Sequence, residues 1–395
     1  STSSMRFAKA RARSTPPASG GSGDDTLYGG RSYPTPNDGN DALYGGGGAD
    51  TLIGGAGADT FDGGTGTDVV DYATSAAGVS VDLTTGTGAG GDAAGDSLTA
   101  VENLIGSAFD DTLTGDGNAN QLTGGDGQDY LDGGAGGDSL FGGNGNDTLR
   151  GAAGADSLVG GAGNDVADYS GSSAGVSVNL GSATFTGGDA AGDTLSGVEF
   201  VSGSDFNDTL TGDTNNNILW GGLGNDGLFG GNGADTLYGG DGRDTLTGGS
   251  GSDRFAYNTV NQGSGGTGGL GGTAGDVITD FNTASGDVIQ LLNYGFTSFA
   301  GIQAAMSQVG ADVRLNLSAT EFLTLKGRTV GTFAADDFTF NGSTVPAPVP
   351  TPVPTPTPTP AHAALPPLRA DVADLGWDAR RERLLAWKGL LARRA

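Results

Sequence analysis

Aspartates recur along this sequence at a spacing of nine residues, and of all its side chains they have the clearest chemical potential. Each lies at the sixth position of a unit that reads G-G-x-G-x-D-x-L-x, as in GGGGADTLI (45–53), GGNGNDTLR (142–150) and GGNGADTLY (230–238). A carboxylate supplies hard oxygen ligands, and glycines allow tight turns whose carbonyl oxygens point to one side. Periodic carboxylates that face a bound cation are unavailable for acid–base work, so the pattern indicates repeated cation sites rather than catalysis.

The remaining residue types exclude most other site chemistries. The chain has no Cys, and its single His, His362, lies in a proline-rich tail. Thiolate sites, histidine-ligated zinc and Ser-His-Asp catalysis are therefore excluded. There is no HExxH motif, no GxSxG motif with a histidine partner, and no phosphate loop followed by Lys. We therefore predict that this chain is not an enzyme.

Composition and charge narrow the class of protein further. Of the 395 residues, 79 are Gly, and 46 acidic residues outnumber 18 basic ones, for a formal net charge of −28. So much negative charge makes nucleic acid a poor partner, and no apolar run is long enough to form a transmembrane segment. The high glycine content also argues against a broad, conventionally packed core.

Each nine-residue unit divides into six turn residues and three strand residues. The last three residues alternate polar, apolar, polar, which predicts a short strand with one inward side chain. Two units then form one turn of a parallel solenoid, and the loops of alternate units stack one strand spacing apart. An oxygen-lined slot between stacked loops suits a six-coordinate hard cation such as calcium. A disordered Gly/Asp-rich spacer is the alternative, but it has no reason to keep an apolar eighth position.

A longer repeat lies over the short one. The units form three blocks of five, seven and six, and the two spacers between them resemble each other at an offset of 97 residues. The spacers are predicted to continue the sheet with longer strands, and their Asp92, Asp96, Asp189 and Asp193 are either further calcium ligands or solvated turn residues. The predicted organisation is a basic disordered N-terminus (1–19), block 1 (20–71), spacer 1 (72–105), block 2 (106–168), spacer 2 (169–202), block 3 (203–256), a capping region (257–345), a Pro/Thr linker (346–360) and a basic amphipathic tail (361–395).

On these motifs the sequence resembles the RTX (repeats-in-toxin, hemolysin-type calcium-binding) family over roughly residues 20–340. The resemblance implies an all-β, right-handed parallel β-roll, a solenoid whose nonapeptide loops are stacked by calcium. It also implies disorder at low calcium inside the cell, and folding outside the cell after export by type I secretion machinery. Asn120 and Asn217 replace the aspartate in two units, where we expect weak or absent metal binding. The implied calcium ligands in the repeats are Asp25, Asp41, Asp50, Asp59, Asp68, Asp111, Asp129, Asp138, Asp147, Asp156, Asp165, Asp208, Asp226, Asp235, Asp244 and Asp253.

The composition changes after the third block. The segment AGDVITDFNTASGDVIQL (274–291) resembles the element that closes the roll in serralysin-type proteases, which implies that Asp276, Asp280 and Asp287 are further calcium ligands. Alternating strands are predicted at 313–317, 321–327 and 337–340, with a short helix at 302–309. A solenoid needs such a cap because its last turn would otherwise expose core residues and a sheet edge.

The C-terminal tail does not match the family. Trp377, Leu384, Trp387 and Leu391 share one face of a predicted helix that also carries six basic residues. This pattern predicts a basic amphipathic helix that binds a membrane surface, a partner groove or the acidic body itself. The alternative is a partly helical, solvated tail.

Three hypotheses of function remain. The leading one is a secreted calcium-binding protein with a structural, cell-surface, matrix or adhesive role, which could associate with itself. The second is the C-terminal export and folding module of a larger secreted enzyme, such as a protease, a lipase or a polysaccharide epimerase. The third is recognition of a sugar or of ice on a flat face of the roll. A catalytic domain upstream of Ser1 would decide for the second hypothesis.

Overall fold

Short strands follow one another through the repeat region, and most of them begin at the polar, apolar, polar triplet of a unit. A computed structural model describes residues 5–7, 18–29, 39–258, 275–318 and 321–340 of the chain. Helical segments within these ranges are α1 Phe299–Ala304 and 3₁₀ turns at Gly91–Ala93, Gly188–Ala190, Val330–Thr332 and Ala335–Asp337. The strands are β1 Met5–Phe7, β2 Ala18–Ser22, β3 Thr26–Tyr28, β4 Ala42–Gly47, β5 Thr51–Ile53, β6 Thr60–Thr65, β7 Val69–Asp71, β8 Ser80–Asp82, β9 Thr87–Ala89, β10 Ser97–Thr99, β11 Asn103–Ile105, β12 Thr112–Thr114, β13 Gln121–Asp126, β14 Tyr130–Asp132, β15 Ala135–Gly136, β16 Ser139–Asn144, β17 Thr148–Arg150, β18 Ala153–Gly154, β19 Ser157–Ala162, β20 Val166–Asp168, β21 Ser177–Asn179, β22 Thr184–Thr186, β23 Thr194–Ser196, β24 Phe200–Ser202, β25 Thr209–Thr211, β26 Ile218–Leu223, β27 Gly227–Asn232, β28 Thr236–Asp241, β29 Thr245–Ser250, β30 Arg254–Asn258, β31 Val277–Ile278, β32 Val288–Leu292, β33 Met306–Val309, β34 Asp312–Asn316, β35 Phe322–Leu325 and β36 Phe338–Phe340.

These strands form long sheets in which neighbours are mostly parallel. Successive repeat units alternate between a sixteen-stranded sheet and one of two nine-stranded sheets. Only β15 and β18, which belong to loops, pair apart from these sheets within the described ranges. The strand orders are β2-β4-β6-β10-β9-β8-β12-β14-β17-β20-β24-β26-β28-β30-β32-β36 for the large sheet, and β1-β3-β5-β7-β11-β13-β16-β19-β23 and β22-β21-β25-β27-β29-β31-β35-β34-β33 for the two smaller ones.

The strand register confirms that two units form one turn of the solenoid. Leu122 is paired with Leu140, and Leu140 with Leu158, so neighbouring strands lie 18 residues apart in the chain. The eighth-position side chains of opposite strands meet in a narrow interior and are almost completely buried. The predicted parallel β-roll is therefore the observed fold. The eighth-position residues in this interior are Leu27, Leu43, Leu52, Phe61, Val70, Leu113, Leu122, Leu131, Leu140, Leu149, Leu158, Ala167, Leu210, Leu219, Leu228, Leu237, Leu246 and Phe255.

Each spacer adds one hairpin to the roll. The antiparallel pairs β8–β9 and β21–β22 are made of three-residue strands, so the expectation of longer strands is wrong. The extra length forms the hairpin and the 3₁₀ turn that follows it. The first hairpin lies in the sixteen-stranded sheet and the second in a nine-stranded sheet. This change of side follows from the seven units of block 2, because an odd number of strands ends on the opposite face.

The described part of the capping region extends both faces of the roll. Strands β32 and β36 pair beyond β30, while β31 and β35 pair beyond β29. The helix predicted at 302–309 is only partly right: α1 occupies 299–304, and 306–309 form β33. Aromatic rings close the interior, with Phe281 packed in tilted geometry between Phe255 and Phe333 at centroid distances of 6.1 and 5.8 Å.

Several predicted segments lie wholly or partly outside the described residues. They include the Pro/Thr linker, the amphipathic tail with His362, and most of the basic N-terminus. Within that N-terminus, the described β1 pairs in parallel with β3. No helix among the described residues has the length and apolar character required to cross a bilayer.

Candidate metal centre

The sixth-position carboxylates form ladders along the roll. In each ladder the backbone N–H of one aspartate donates to Oδ1 of the aspartate one turn further on. Asp111 donates in this way to Asp129, and Asp129 to Asp147, each over 2.8 Å. Because the donor belongs to the adjacent turn, the sheet register holds successive carboxylates one strand spacing apart. The same contact is made by Asp25, Asp41, Asp59 and Asp147. The N–H of Asp165 donates instead to Oε2 of Glu199.

The second carboxylate oxygen, Oδ2, is buried without a hydrogen-bond donor at many of these positions. An ionised carboxylate has acceptor sites on both oxygens, and leaving one of them unsatisfied in a low-dielectric interior is costly. Such an atom indicates that a positively charged partner belongs beside it. Among the described residues this arrangement is found at Asp50, Asp68, Asp129, Asp138, Asp156, Asp226, Asp235, Asp244, Asp253 and Asp276.

First-position glycines and backbone carbonyls complete the surroundings of Oδ2. A Cβ placed on Gly124 would clash with Oδ2 of Asp129 and lie 2.7 Å from the carbonyl oxygen of Gly142. A Cβ on Gly142 would meet Oδ2 of Asp147 and the carbonyl oxygen of Gly160 in the same way. Oxygen atoms of two successive turns therefore face one small space, which only glycine leaves open.

The donor set fits a hard cation. It consists of carboxylate and carbonyl oxygens, the ligands that Ca²⁺ prefers, and it contains no nitrogen or sulfur. No three acidic or histidine side chains converge on one point in the part of the chain that the structure describes. Backbone carbonyl oxygens would therefore have to complete each ligand set.

The electrostatics of the ladders also favour a bound cation. Burial, reinforced by the neighbouring carboxylates of the ladder, raises the pKa of Asp129 and of Asp226 to about 8. For the same reasons the pKa of Asp235 is raised to about 7 and that of Asp253 to about 6. The backbone N–H donors lower these pKa values only in part. A divalent cation would favour the ionised carboxylates and so offset the cost of burying them.

Two predicted ligands, Asp111 and Asp208, have both oxygens satisfied by the protein. Oδ2 of Asp208 accepts from the backbone N–H of Ser204 at 2.6 Å, and Oδ1 accepts from the Ser204 hydroxyl at 2.8 Å. Ser107 makes the same two hydrogen bonds to Asp111. These serines replace the second glycine of the first unit after each spacer, and their hydroxyls supply a donor that a glycine at this position lacks.

Asn120 and Asn217 are satisfied as amides. The Oδ1 of Asn120 accepts from the backbone N–H of Asp116 at 2.8 Å, and its Nδ2 donates to the carbonyl oxygen of Glu102 at 2.7 Å. Asn217 makes the corresponding bonds to Asp213 and to Glu199. With both ends of the amide occupied, neither side chain offers an unsatisfied oxygen to a metal.

The cap continues both ladders. The N–H of Asp244 donates to Oδ1 of Asp276 at 2.8 Å, and the N–H of Asp253 donates to Oδ1 of Asp287 at 3.2 Å. The structure thus places Asp276 and Asp287 where a further repeat unit would have its aspartate. Only Asp276 has an unsatisfied Oδ2, because Oδ2 of Asp287 accepts from the N–H of Asn282 at 2.8 Å.

Asp280, the third predicted ligand of the cap, is held differently. Its two oxygens accept from the backbone N–H groups of Gly248 and Gly249, at 3.0 and 2.8 Å. It joins the cap to the loop of the last repeat unit and lies outside the ladders.

Two ladder residues, Glu102 and Glu199, were missed by the sequence analysis, and two others, Asp96 and Asp193, were left open there between calcium ligands and solvated turn residues. The N–H of Asp59 donates to Oδ1 of Asp96, and the N–H of Asp68 donates to Oε2 of Glu102. Asp193 and Glu199 take the same places in the second spacer. The sequence does carry a signal, since each of them opens an acidic-x-apolar triplet like that of the repeats: DSL, ENL, DTL and EFV. Their separation of 34 or 37 residues from the donor, rather than 18, conceals it.

Comparison with known proteins identifies the repeat. Six segments match the family described as RTX calcium-binding nonapeptide repeat (4 copies): residues 18–32, 35–70, 100–131, 132–167, 193–228 and 224–255. Two curated relatives are endo-1,3-1,4-beta-glycanases of Rhizobium meliloti (strain 1021). ExsH is 43% identical over 63 residues and EglC 39% identical over 64 residues. Each match covers 16% of this chain and only 13% of the relative's own length.

Two solved structures give further matches. The solution structure of the AlgE6R3 subunit from the Azotobacter vinelandii mannuronan C5-epimerase is 28% identical. It covers 41% of this chain and 93% of its own, with a TM-score of 0.28. The extracellular lipase LipA from Serratia marcescens is 17% identical and covers 58% of this chain and 39% of its own, with a TM-score of 0.25.

Proposed function

Because this chain carries RTX calcium-binding nonapeptide repeats, we propose that it is a secreted protein whose acidic body folds into the roll when it binds calcium outside the cell. One observation carries the proposal: ten buried aspartate oxygens lie along the ladders without a hydrogen-bond donor. The residues from 20 to 345 contain 42 acids and 7 bases, so repulsion opposes folding until cations bind.

Within this proposal, the ligands are the sixth-position aspartates together with backbone carbonyls of the adjacent turns. Asp276 extends the set into the cap, because it shares both the ladder contact and the unsatisfied Oδ2. Calcium bound there would supply the positive charge that the ladders lack. Each occupied site would stabilise the folded chain by RT ln(1 + [Ca]/Kd), so many weak sites together suffice to drive folding.

The proposed role of the folded roll is structural, at a cell surface or in an extracellular matrix, with type I secretion machinery as its route of export. The repeat motif supports this role, and so does a sequence that contains no recognisable catalytic constellation. A roll that folds only in calcium suits a protein that is exported unfolded through a secretion channel and becomes ordered outside.

A second candidate is the export and folding module of a larger secreted enzyme. The observation that favours it is the pair of relatives named as glycanases, of which the matched repeats form only a small part. The reading frame upstream of Ser1 separates the two candidates. A catalytic domain there supports the module, and its absence supports the structural protein.

Calcium-dependent folding is tested by circular dichroism of the purified chain at equal ionic strength. We expect a coil spectrum in chelator and a β-rich spectrum at millimolar calcium, while the same concentration of magnesium leaves the chain largely unfolded. Magnesium serves as the control because it requires near-octahedral geometry and dehydrates reluctantly. A fully folded chain in chelator would contradict the proposed function.

A further inference from the structure

In the first spacer, a tyrosine hydroxyl is hydrogen-bonded to a carboxylate of the ladder. The buried Tyr72 donates its hydroxyl hydrogen to Oδ2 of Asp96 over 2.9 Å. Oδ1 of the same carboxylate accepts from the backbone N–H of Asp59 at 2.7 Å. Asp96 therefore stands in the ladder like a repeat aspartate, but its second oxygen is satisfied by the protein.

The second spacer repeats this arrangement. Tyr169 donates to Oδ2 of Asp193 over 2.9 Å, and the N–H of Asp156 donates to Oδ1 at 2.9 Å. Both tyrosines and both aspartates are buried. The two copies lie 97 residues apart and belong to different sheets. The same Tyr–Asp hydrogen bond therefore forms at two places in the roll.

The ladder positions that follow each tyrosine are also satisfied from within the chain. After Asp96 come Asp111, whose oxygens accept from Ser107, and Asn120, whose amide is bonded at both ends. Between Asp96 and Asp111, Glu102 accepts the ladder N–H of Asp68 and is only partly buried. The second copy has the same series in Asp193, Glu199, Asp208 and Asn217.

We propose that residues 72–120 and 169–217 form two metal-free clamps in the roll, and that calcium binds in three separate blocks on either side of them. The unsatisfied oxygens divide along the same lines, at Asp50 and Asp68, then from Asp129 to Asp156, then from Asp226 to Asp276. A hydroxyl that points its hydrogen at Oδ2 occupies the direction from which a cation would approach. In the clamps the sheet and its interior continue across each spacer, and no additional calcium site is formed there.

This inference rests on the proposed calcium-dependent folding, and amide substitution tests it. Asn at position 96 or 193 can still accept the ladder N–H and can donate to the tyrosine oxygen, so the clamp persists without a carboxylate. We expect the double variant Asp96→Asn, Asp193→Asn to bind as many calcium ions per chain as the unmodified protein. The matched double variant Asp129→Asn, Asp226→Asn alters two block positions and is expected to bind fewer. Bound calcium is counted by elemental analysis after equilibrium dialysis at saturating calcium.

The tyrosines give an independent measurement. Tyr72→Phe together with Tyr169→Phe leaves two buried carboxylate oxygens without donors, and we expect the thermal midpoint in saturating calcium to fall by about 5 °C or more. Tyr44→Phe is the control, since the Tyr44 side chain is 39% exposed and is expected to leave the midpoint unchanged.

Loss of bound calcium in the Asp96→Asn, Asp193→Asn variant would overturn the inference, and so would an unchanged midpoint in the double Phe variant. An unmodified protein that binds no calcium would instead contradict the proposed function, so the two failures are distinguishable.

Discussion

Asp129 and Asp96 show how the same type of side chain serves two purposes in this roll. Both receive a backbone N–H on Oδ1 from the preceding turn. They differ in what faces Oδ2, which is a glycine-lined space at Asp129 and the hydroxyl of Tyr72 at Asp96. A carboxylate that lacks a donor favours a cation, whereas a carboxylate with a donor on each oxygen is already satisfied.

Single substitutions are therefore expected to separate calcium binding from stability. Asp147→Ala removes a carboxylate from the ladder of block 2 and should reduce the number of bound calcium ions and raise the calcium midpoint of folding. Asn120→Ala removes hydrogen bonds to Asp116 and Glu102. It should lower the melting temperature with the calcium count unchanged. Calcium titration followed by circular dichroism, together with the count of bound ions, checks both expectations. Equal counts for the two variants would contradict the assigned register.

The raised pKa values predict an unusual response to acid in the absence of calcium. The pKa is about 8 for Asp129 and Asp226 in the roll, against about 3.9 for an unfolded aspartate. The folded state therefore binds more protons between about pH 4 and pH 8, and the free energy of unfolding rises as the pH falls through this window. In chelator, circular dichroism should show more β-structure at pH 5 than at pH 8. With subsaturating calcium the count of bound ions should fall over the same range, because protons compete for the ligands. A chelated chain that loses structure on acidification would contradict the burial of these carboxylates.

At the scale of elements, each strand contributes very little core. One inward side chain per three-residue strand must meet a partner from the opposite sheet, and burying one leucine contributes only about 1.5–3 kcal/mol. The interior is thus only two facing rows of side chains, continued into the cap by the phenylalanine cluster. Such a core cannot tolerate a charge, whereas the outer positions of the same strands can.

A matched pair on β29 tests this difference. Leu246 is fully buried, and the adjacent Thr245 is exposed on the outer face. Leu246→Asp should prevent cooperative folding at any calcium concentration, because an unpaired charge in the interior costs several kcal/mol. Thr245→Asp should change the free energy of unfolding by about 0.5 kcal/mol or less. Thermal melts of both variants in calcium provide the measurement. Similar melting temperatures would mean that position 246 does not face the interior.

At the scale of the whole molecule, the chain has two similar spacers whose hairpins lie on opposite faces of the roll. The hairpin β8–β9 belongs to the sixteen-stranded sheet and β21–β22 to a nine-stranded one. The seven units of block 2 produce this alternation, and a block of six or eight would place both hairpins on the same face. Insertions in the two spacers would therefore project to opposite sides of the roll.

The C-terminal end of the roll depends on the cap. Deleting residues 257–345 would remove β31, β32, β35 and β36, and so leave β29 and β30 with unpaired edges and exposed interior residues. We expect this variant to melt earlier and to aggregate in calcium, since uncovered parallel edges pair with other chains. Deleting residues 361–395 is the control and should leave calcium-dependent folding intact. Thermal melting read beside light scattering checks both, and equal aggregation of the two variants would contradict the boundary placed at Pro346.

The sequence by itself determined the repeat, the inward eighth position and the aspartate ladders. Each of these depends on a nine-residue period that recurs in all three blocks. Asp129 and Leu131 follow from their own nonapeptide, and the 18-residue pairing follows from stacking two such units. The tertiary structure alone decided which carboxylates remain unsatisfied. Asp96 and Tyr72 lie 24 residues apart in a spacer, and only the path of the hairpin brings the hydroxyl to the carboxylate. The partner of a side chain across a longer connection depends on how the chain returns to the sheet, and no local pattern specifies that path.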